Sequence, residues 1–235
     1  MTNNWEIIDG DSSHTLKNIE SGTVDCCISC PPFYGKNIRP NPGNCIGYEK
    51  TEEEYIETIV SIHSEVKRIL VDGGTFWLVI GDGLGYKSGV PWKVAFALEK
   101  DGWLLQQEII WDIHGPTNPC DEWSGPFKRS HHYILLFTKS NSFYFNRMPN
   151  KTSVWSEENK PLPTSMNYGY VTCPIEGIET CILAGSPEGG VVLDPFSGSG
   201  TTGLVALKNR RKYIGCELNP QWAELSRSRI REEYP

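Results

Sequence analysis

A single α/β domain with a mostly parallel sheet and helices on both faces is predicted by three observations. Short apolar, β-branched runs alternate with helical periodicity along the whole chain. One run, Val191-Val192-Leu193, ends in Asp194 and passes through a small-residue loop into Leu204-Val205-Ala206-Leu207, which reads as a buried strand, a tight turn and a helix start. A second run, Tyr213-Ile214-Gly215-Cys216, ends in Glu217. The chain has 235 residues, enough for one domain with a full core.

Each element follows from its pattern. Trp5 to Ile8 is a short strand, closed by the turn Asp9-Gly10-Asp11, and a short helix covers Ser13 to Ile19. Thr23 to Ser29 is the next strand, and it runs into Cys30-Pro31-Pro32-Phe33-Tyr34-Gly35. The two prolines end the ladder because neither has an N–H to donate. Residues 36–50, rich in Pro, Gly and Asn, form a surface loop. Thr51-x-x-Glu54 opens a helix to about Leu70, with Tyr55, Ile59, Ile62, Val66 and Ile69 on one face. Asp72-Gly73-Gly74 is expected to stop that helix, and Thr75 to Ile80 to form a buried strand. A helix from Pro91 to Glu99 begins with proline in its first turn. Trp103 to Trp111 and Tyr133 to Thr138 are strands; residues 112–130 are irregular, and 140–172 are polar and loop-rich without periodicity. Pro174 to Ala184 is helical, and Asn219-Pro220 opens a last helix to about Arg231.

Composition narrows the class. Hydrophobic content is 38%, with eight tryptophans, as in a folded globule. No apolar run approaches a membrane span, and Met1-Thr2-Asn3-Asn4-Trp5-Glu6 has no signal-peptide pattern, so an intracellular protein is expected. The eight cysteines then read as reduced thiols. Cys27-x-x-Cys30 has the spacing of a metal half-site, but no second pair matches it, and no metal is expected. The net charge of −7 gives no global basic footprint for nucleic acid, leaving only a local basic face.

The loop after Asp194 carries ligand chemistry. Gly198 and Gly200 let the backbone approach a ligand closely, and the following helix presents unpaired N–H groups. The dinucleotide fingerprint is not met, and a pyrophosphate beside Asp194 is unfavourable. A cationic or zwitterionic nucleoside fits better, and S-adenosylmethionine is one. Glu217, at the tip of the second strand, stands where such folds hold a ribose.

Two motifs then coincide: Cys30-Pro31-Pro32-Phe33 precedes Asp194-Pro195-Phe196-Ser197-Gly198-Ser199-Gly200-Thr201-Thr202. In this order the sequence resembles the beta-class amino-directed DNA methyltransferases, in which a (Ser/Asp/Asn)-Pro-Pro-(Tyr/Phe/Trp) motif precedes the cofactor motif. The likeness extends through Gly10-Asp11, Ile46-Gly47, Gly74-Thr75-Phe76-Trp77, Gly81-Asp82, Val90-Pro91-Trp92, Ser153-Val154-Trp155 and Ile182-Leu183-Ala184-Gly185-Ser186-Pro187. The flanks look most like the N4-cytosine branch. The resemblance implies a Rossmann-like S-adenosylmethionine-dependent domain with circularly permuted motifs.

It also implies roles. Cys30, Pro31, Pro32 and Phe33 are the catalytic candidates: an acceptor and a backbone carbonyl draw the amino protons of a flipped base, and Phe33 stacks on it. Asp11, Cys30, Pro174, Asp194, Phe196, Gly198, Ser199, Gly200, Thr201, Thr202, Glu217 and Leu218 are the cofactor candidates, with S-adenosylhomocysteine as the product. Lys36, Arg39, Lys128, Arg129 and His131 are the DNA candidates. His131 matches a family histidine, while His132 stands where the family often has Glu. Loops 36–50, 112–130 and 140–172 are the candidate recognition segments. DNA is the expected partner, with a homodimer and a cognate restriction nuclease as further ones. Cys30 departs from the family's Ser or Asp, and a thiol is a weak acceptor. Cysteine is closest to serine in size, which favours cytosine. N6-adenine methylation, and a weakly active or inactive nucleic-acid binder, are the alternatives. Ser29 lies next to Cys30, but in a strand it points to the other face.

Overall fold

The computed structural model describes residues 4–35, 45–83, 89–114, 130–158 and 175–234. Their elements are β1 (Trp5–Asp9), α1 (Ser12–Thr15) with a 3-10 turn at Leu16–Asn18, β2 (Val24–Ser29), α2 (Glu52–Ile69), β3 (Leu70–Ile80) and α3 (Val90–Lys100). There follow β4 (Leu104–His114), β5 (His131–Thr138), β6 (Val154–Glu158), α4 (Ile175–Gly185), β7 (Val191–Asp194), α5 (Thr201–Lys208), β8 (Lys212–Glu217) and α6 (Pro220–Glu233). The strands form one sheet in the order β1-β8-β7-β2-β3-β5-β4-β6. All neighbours are parallel except at β5, which runs against both β3 and β4.

Two cores flank the sheet. On one face Cys27, Leu78, Ile80, Leu135 and Phe137 meet α2 and α3, with Leu16 sealing the end. On the other, Cys26, Ile28, Trp77, Val79 and Leu136 meet α4, α5 and α6. The alternation along β2 and β3 is the period of two a pleated strand imposes, and burial on both faces is why these strands read as unbroken apolar runs. The opening of α2 is as the sequence predicts. The Thr51 hydroxyl accepts the Glu54 N–H at 3.2 Å while the Glu54 carboxylate accepts the Thr51 N–H at 3.4 Å.

Three expectations change. Asp72-Gly73-Gly74 does not end a helix; α2 stops at Ile69 and the three residues lie inside β3. The ladder slips there, between Val24 and Cys26, and a Cβ on Gly74 would stand 3.1 Å from the Asp25 and Val71 carbonyl oxygens, so the glycines accommodate a bulge. β4 runs on to His114, into the stretch expected to be irregular. β6 lies in the segment expected to be loop. It is a short edge strand with Val154 exposed and Trp155 buried, recruited by pairing Ile110 with Val154 and Trp111 with Trp155. Five residues at a sheet edge carry too little alternation to be recognised without their partner.

Candidate active site

The strand order sets the tips of β1, β8, β7 and β2 side by side. Asp9 pairs with Glu217, Asp194 with Gly215, and Leu193 with Cys27. Acids thus stand at three adjacent strand ends, and Cys30 follows the fourth. This edge, beyond the carboxyl ends of parallel strands, is where open α/β sheets bind ligands.

Asp194 is only 4% exposed, and both its oxygens are engaged. Oδ1 accepts the Phe196 N–H at 2.9 Å and Oδ2 accepts the Thr202 hydroxyl at 2.6 Å. Burial pushes its carboxyl up to about 6, against the pull of those two hydrogen bonds. The Glu217 carboxylate accepts the Gly198 N–H at 2.8 Å and the Asn219 N–H at 2.9 Å, fixing the loop over the end of β8. Gly200 caps α5 with φ +80°, and a Cβ there would meet Ser226 Oγ at 2.3 Å, so α6 lies directly beneath the loop. Arg229 of α6 donates to the Ser199 carbonyl, and the Tyr213 hydroxyl donates to Ser197 Oγ at 2.9 Å. Thr201 Oγ1 is 3.4 Å from Ser199 Oγ, and Leu218 is half exposed.

Asp11 caps α1 by accepting the Ser13 N–H at 2.8 Å, and Ser12 donates to the Pro195 carbonyl, tying β1 to the loop after β7. Beside Asp11 lies a pocket of about 390 Å³ lined by Ser13, Tyr48, Glu49, Thr58 and Ile62 among others. Burial raises the Glu49 carboxyl above its usual range.

The Cys30-to-Phe33 turn is held from several sides. Cys30 is half-buried and Phe33 buried. The Pro32 carbonyl accepts the Tyr55 hydroxyl at 3.0 Å. A Cβ on Gly83 would overlap the Tyr34 carbonyl oxygen at 1.8 Å, and one on Gly47 would sit 2.7 Å from that of Phe33, so glycine lets three backbones meet. Phe33 packs edge-on against His132 at 5.0 Å between ring centres, and His132 packs against Trp111 at 5.7 Å. The His132 ring occupies the space a Cβ on Gly81 would take, 2.1 Å from Nδ1. His131 faces Tyr133, its Nε2 lying 3.3 Å from the hydroxyl.

Lys36, Arg39, Lys128, Arg129 and Pro174 lie outside the described residues. Cys26, Cys27, Cys30, Cys45, Cys181 and Cys216 are thiols, and burial raises Cys26 to about 12. Among the described residues no group of three or more His, Cys, Asp or Glu side chains is placed to hold a metal, and no helix is long and apolar enough to cross a membrane.

Sequence reasoning missed the groups that hold the site from behind. Ser226 and Arg229 lie on α6 with nothing local to mark them. His63 leaves one trace: it falls four residues after Ile59, an imidazole on an apolar helix face.

The residues at this edge fit a nucleoside bearing a positive charge. Space is open above Gly198, where the nearest atom to a Cβ is the Phe196 oxygen at 3.9 Å, and the surrounding side chains are acidic. The family model for N6/N4-type DNA methylases matches residues 24–228. The Type II methyltransferase M.XycI of Xanthomonas campestris pv. cyanopsidis is 34% identical, covering 95% of this chain and 87% of its own. M.SmaI of Serratia marcescens is also 34% identical, over 96% of this chain and 90% of its own. Among solved structures, the Thermus thermophilus protein TTHA0409 complexed with S-adenosyl-L-methionine has a TM-score of 0.75 and 25% identity, covering 97% of this chain and 95% of its own. The cytosine-N4-specific PvuII DNA methyltransferase superposes with a TM-score of 0.80 at 20% identity, over 97% and 86% of the two chains. The fold is that of the S-adenosylmethionine-dependent methyltransferases. The chain belongs to the N6/N4 DNA methylase family and is an amino-directed DNA methyltransferase that uses S-adenosylmethionine.

Proposed function

We propose that the protein methylates the exocyclic N4 amino group of a cytosine flipped out of DNA, as the modification partner of a restriction nuclease. The observation that carries this reading is the half-buried Cys30 beside a fixed Pro-Pro-Phe turn, one strand from Asp194. A neutral residue of serine's size there suits a cytosine amine. The kinship with Type II methyltransferases supports the modification role.

Asp11, Glu217 and the Phe196-to-Gly200 loop would hold the cofactor, which supplies an electrophilic methyl on a sulfonium and leaves as S-adenosylhomocysteine. The Glu217 carboxylate, fixed by the Gly198 and Asn219 N–H groups, would accept from the ribose hydroxyls, since each carboxylate oxygen can take more than one donor. The buried Asp194 holds the loop, and its negative charge favours a cation close by. Cys30 Sγ and the Pro31 carbonyl would accept hydrogen bonds from the amino N–H groups, localising the nitrogen lone pair; as the N–C bond forms and the S–C bond breaks, the nitrogen sheds one proton to solvent. The Pro32 carbonyl is committed to Tyr55. Phe33, braced by His132, would form the wall on which the base stacks. Positioning and fixed dipoles supply the rate, since no covalent step is asked of the protein. Loops 36–50, 112–130 and 140–172 would read the target sequence, with Lys36, Arg39, Lys128, Arg129 and His131 on phosphates.

The test is to incubate protein, unmethylated duplex DNA and S-adenosylmethionine, digest the DNA, and quantify methylated nucleosides by mass spectrometry. N4-methylcytosine that disappears with Phe33→Ala, folded by its melting temperature, is the expected result. N6-methyladenine would overturn the choice of base. Cofactor binding without product would favour a binder.

A further inference from the structure

The strand that leads into Cys30 is anchored at its last residue, Ser29. Ser29 is fully buried, and its Oγ lies 2.9 Å from His63 Nε2 on α2. His63 Nδ1 lies 2.7 Å from the Ile59 carbonyl, one turn back in the same helix. A carbonyl only accepts, so Nδ1 carries the ring proton and Nε2 is the acceptor for the Ser29 hydroxyl. Burial holds His63 down at about 4, which keeps this neutral tautomer at neutral pH.

The same imidazole reaches the second motif. It stacks on Phe76 at 4.6 Å and 22°, and its centre lies 6.4 Å from the ring of Phe196, in the loop after β7. Phe76 is the register partner of Cys27 in β2. One side chain therefore touches the end of β2, its neighbour β3 and the cofactor loop. An imidazole buried without need costs desolvation that a leucine would avoid.

We propose that Ser29 and His63 are a positioning pair that sets the Cys30–Pro31 peptide against the Phe196 loop, so that the amino group and the methyl donor are held in line. The inference rests on the proposed reading of the site as an amino methyltransferase. Neither residue touches substrate; both act through Cys30 and Phe196. A misplacement of about 1 Å from such a pair is enough to lower a rate about a hundredfold.

The test uses Ser29→Ala, His63→Phe, which keeps a ring and removes the acceptor, and His63→Gln, which keeps an acceptor and guards against a folding failure. Each is assayed well below its melting temperature for kcat, for both KM values, and for the alkylation rate of Cys30 by iodoacetamide, read on its own peptide. Ser29→Ala and His63→Phe are expected to lower kcat about 10- to 100-fold with KM little changed, and the double variant to be no worse than either single one. Cys30 alkylation is expected to speed up at least about fivefold while Cys45 does not change, and His63→Gln to recover most of both effects. Unchanged kcat and unchanged Cys30 alkylation, with only a lower melting temperature, would overturn the proposal. The alkylation readout needs no turnover. If the wild-type protein methylates no DNA, an accelerated Cys30 still supports the pair, and an unaltered Cys30 still refutes it.

Discussion

Thr202 Oγ1 lies 2.6 Å from Asp194 Oδ2, and both side chains are buried. The bond joins the second residue of α5 to the last residue of β7, across the loop between them. The Thr202 hydroxyl, a cofactor candidate from the sequence, donates here to the protein's own carboxylate. Thr202→Val keeps the shape and removes the donor. It is expected to cost about 1.5–3 kcal/mol of unfolding free energy at neutral pH, since the bond is to a charged group. Urea denaturation measures the loss, and calorimetry should find weaker cofactor binding alongside it.

Asp194 and His63 give opposite pH signatures. The Asp194 carboxyl stands at about 6 when folded against 3.8 ordinarily. Its stabilising contribution, about 3 kcal/mol, is full below pH 4 and is lost as pH rises through 6. His63 stands at about 4 against 6.5, so its contribution, also about 3 kcal/mol, is full above pH 6.5 and is lost as pH falls toward 4. Between pH 4 and 6 the two offset one another. Asp194→Asn should therefore expose a stability that falls on acidification, and His63→Gln one that rises. Denaturation midpoints from pH 4 to 8 decide it; variants that track the wild-type profile would refute the assignment.

Two glycines with the same φ of +80° separate backbone strain from crowding. Around Gly189 a Cβ meets nothing within 4 Å, whereas at Gly200 it meets Ser226 Oγ at 2.3 Å and Cα at 3.2 Å. Gly189→Ala should cost about 1 kcal/mol, the left-handed penalty alone. Gly200→Ala should cost at least about 2 kcal/mol and raise KM for the cofactor more than tenfold. Adding Ser226→Ala should recover only part of this, because the α6 backbone remains in the way.

At Cys30 the prediction concerns rate. An oxygen accepts hydrogen bonds better than sulfur, so Cys30→Ser should raise kcat severalfold without changing which base is methylated. Cys30→Ala should lower it about tenfold or more. Equal rates for all three would mean that the Pro31 carbonyl orients the amine alone.

Much of the fold was legible because its signals are local. The apolar runs of β2, β3, β7 and β8, the Thr51–Glu54 cap and the glycine loop after Asp194 each follow from a few neighbouring residues. The order of the two motifs and the chemistry of the acidic strand ends were legible for the same reason. β6 and the bulge at Gly73-Gly74 were not, since each depends on a partner strand distant in sequence. His132 could be seen as a departure from the family's Glu, but its place against Phe33 depends on the absent side chain of Gly81, some fifty residues earlier.

By itself, then, the sequence determined the class of fold, the two motifs and the acids at the strand ends, because periodicity and turn chemistry act over a few residues. Only the tertiary structure decided which groups hold those motifs in place. Thr202 on Asp194, His63 on Ser29, Tyr55 on Pro32 and Ser226 beneath Gly200 are contacts between residues brought together by the fold rather than by local pattern. Their energies arise from burial and close approach, which exist only once the sheet has brought its strand tips together.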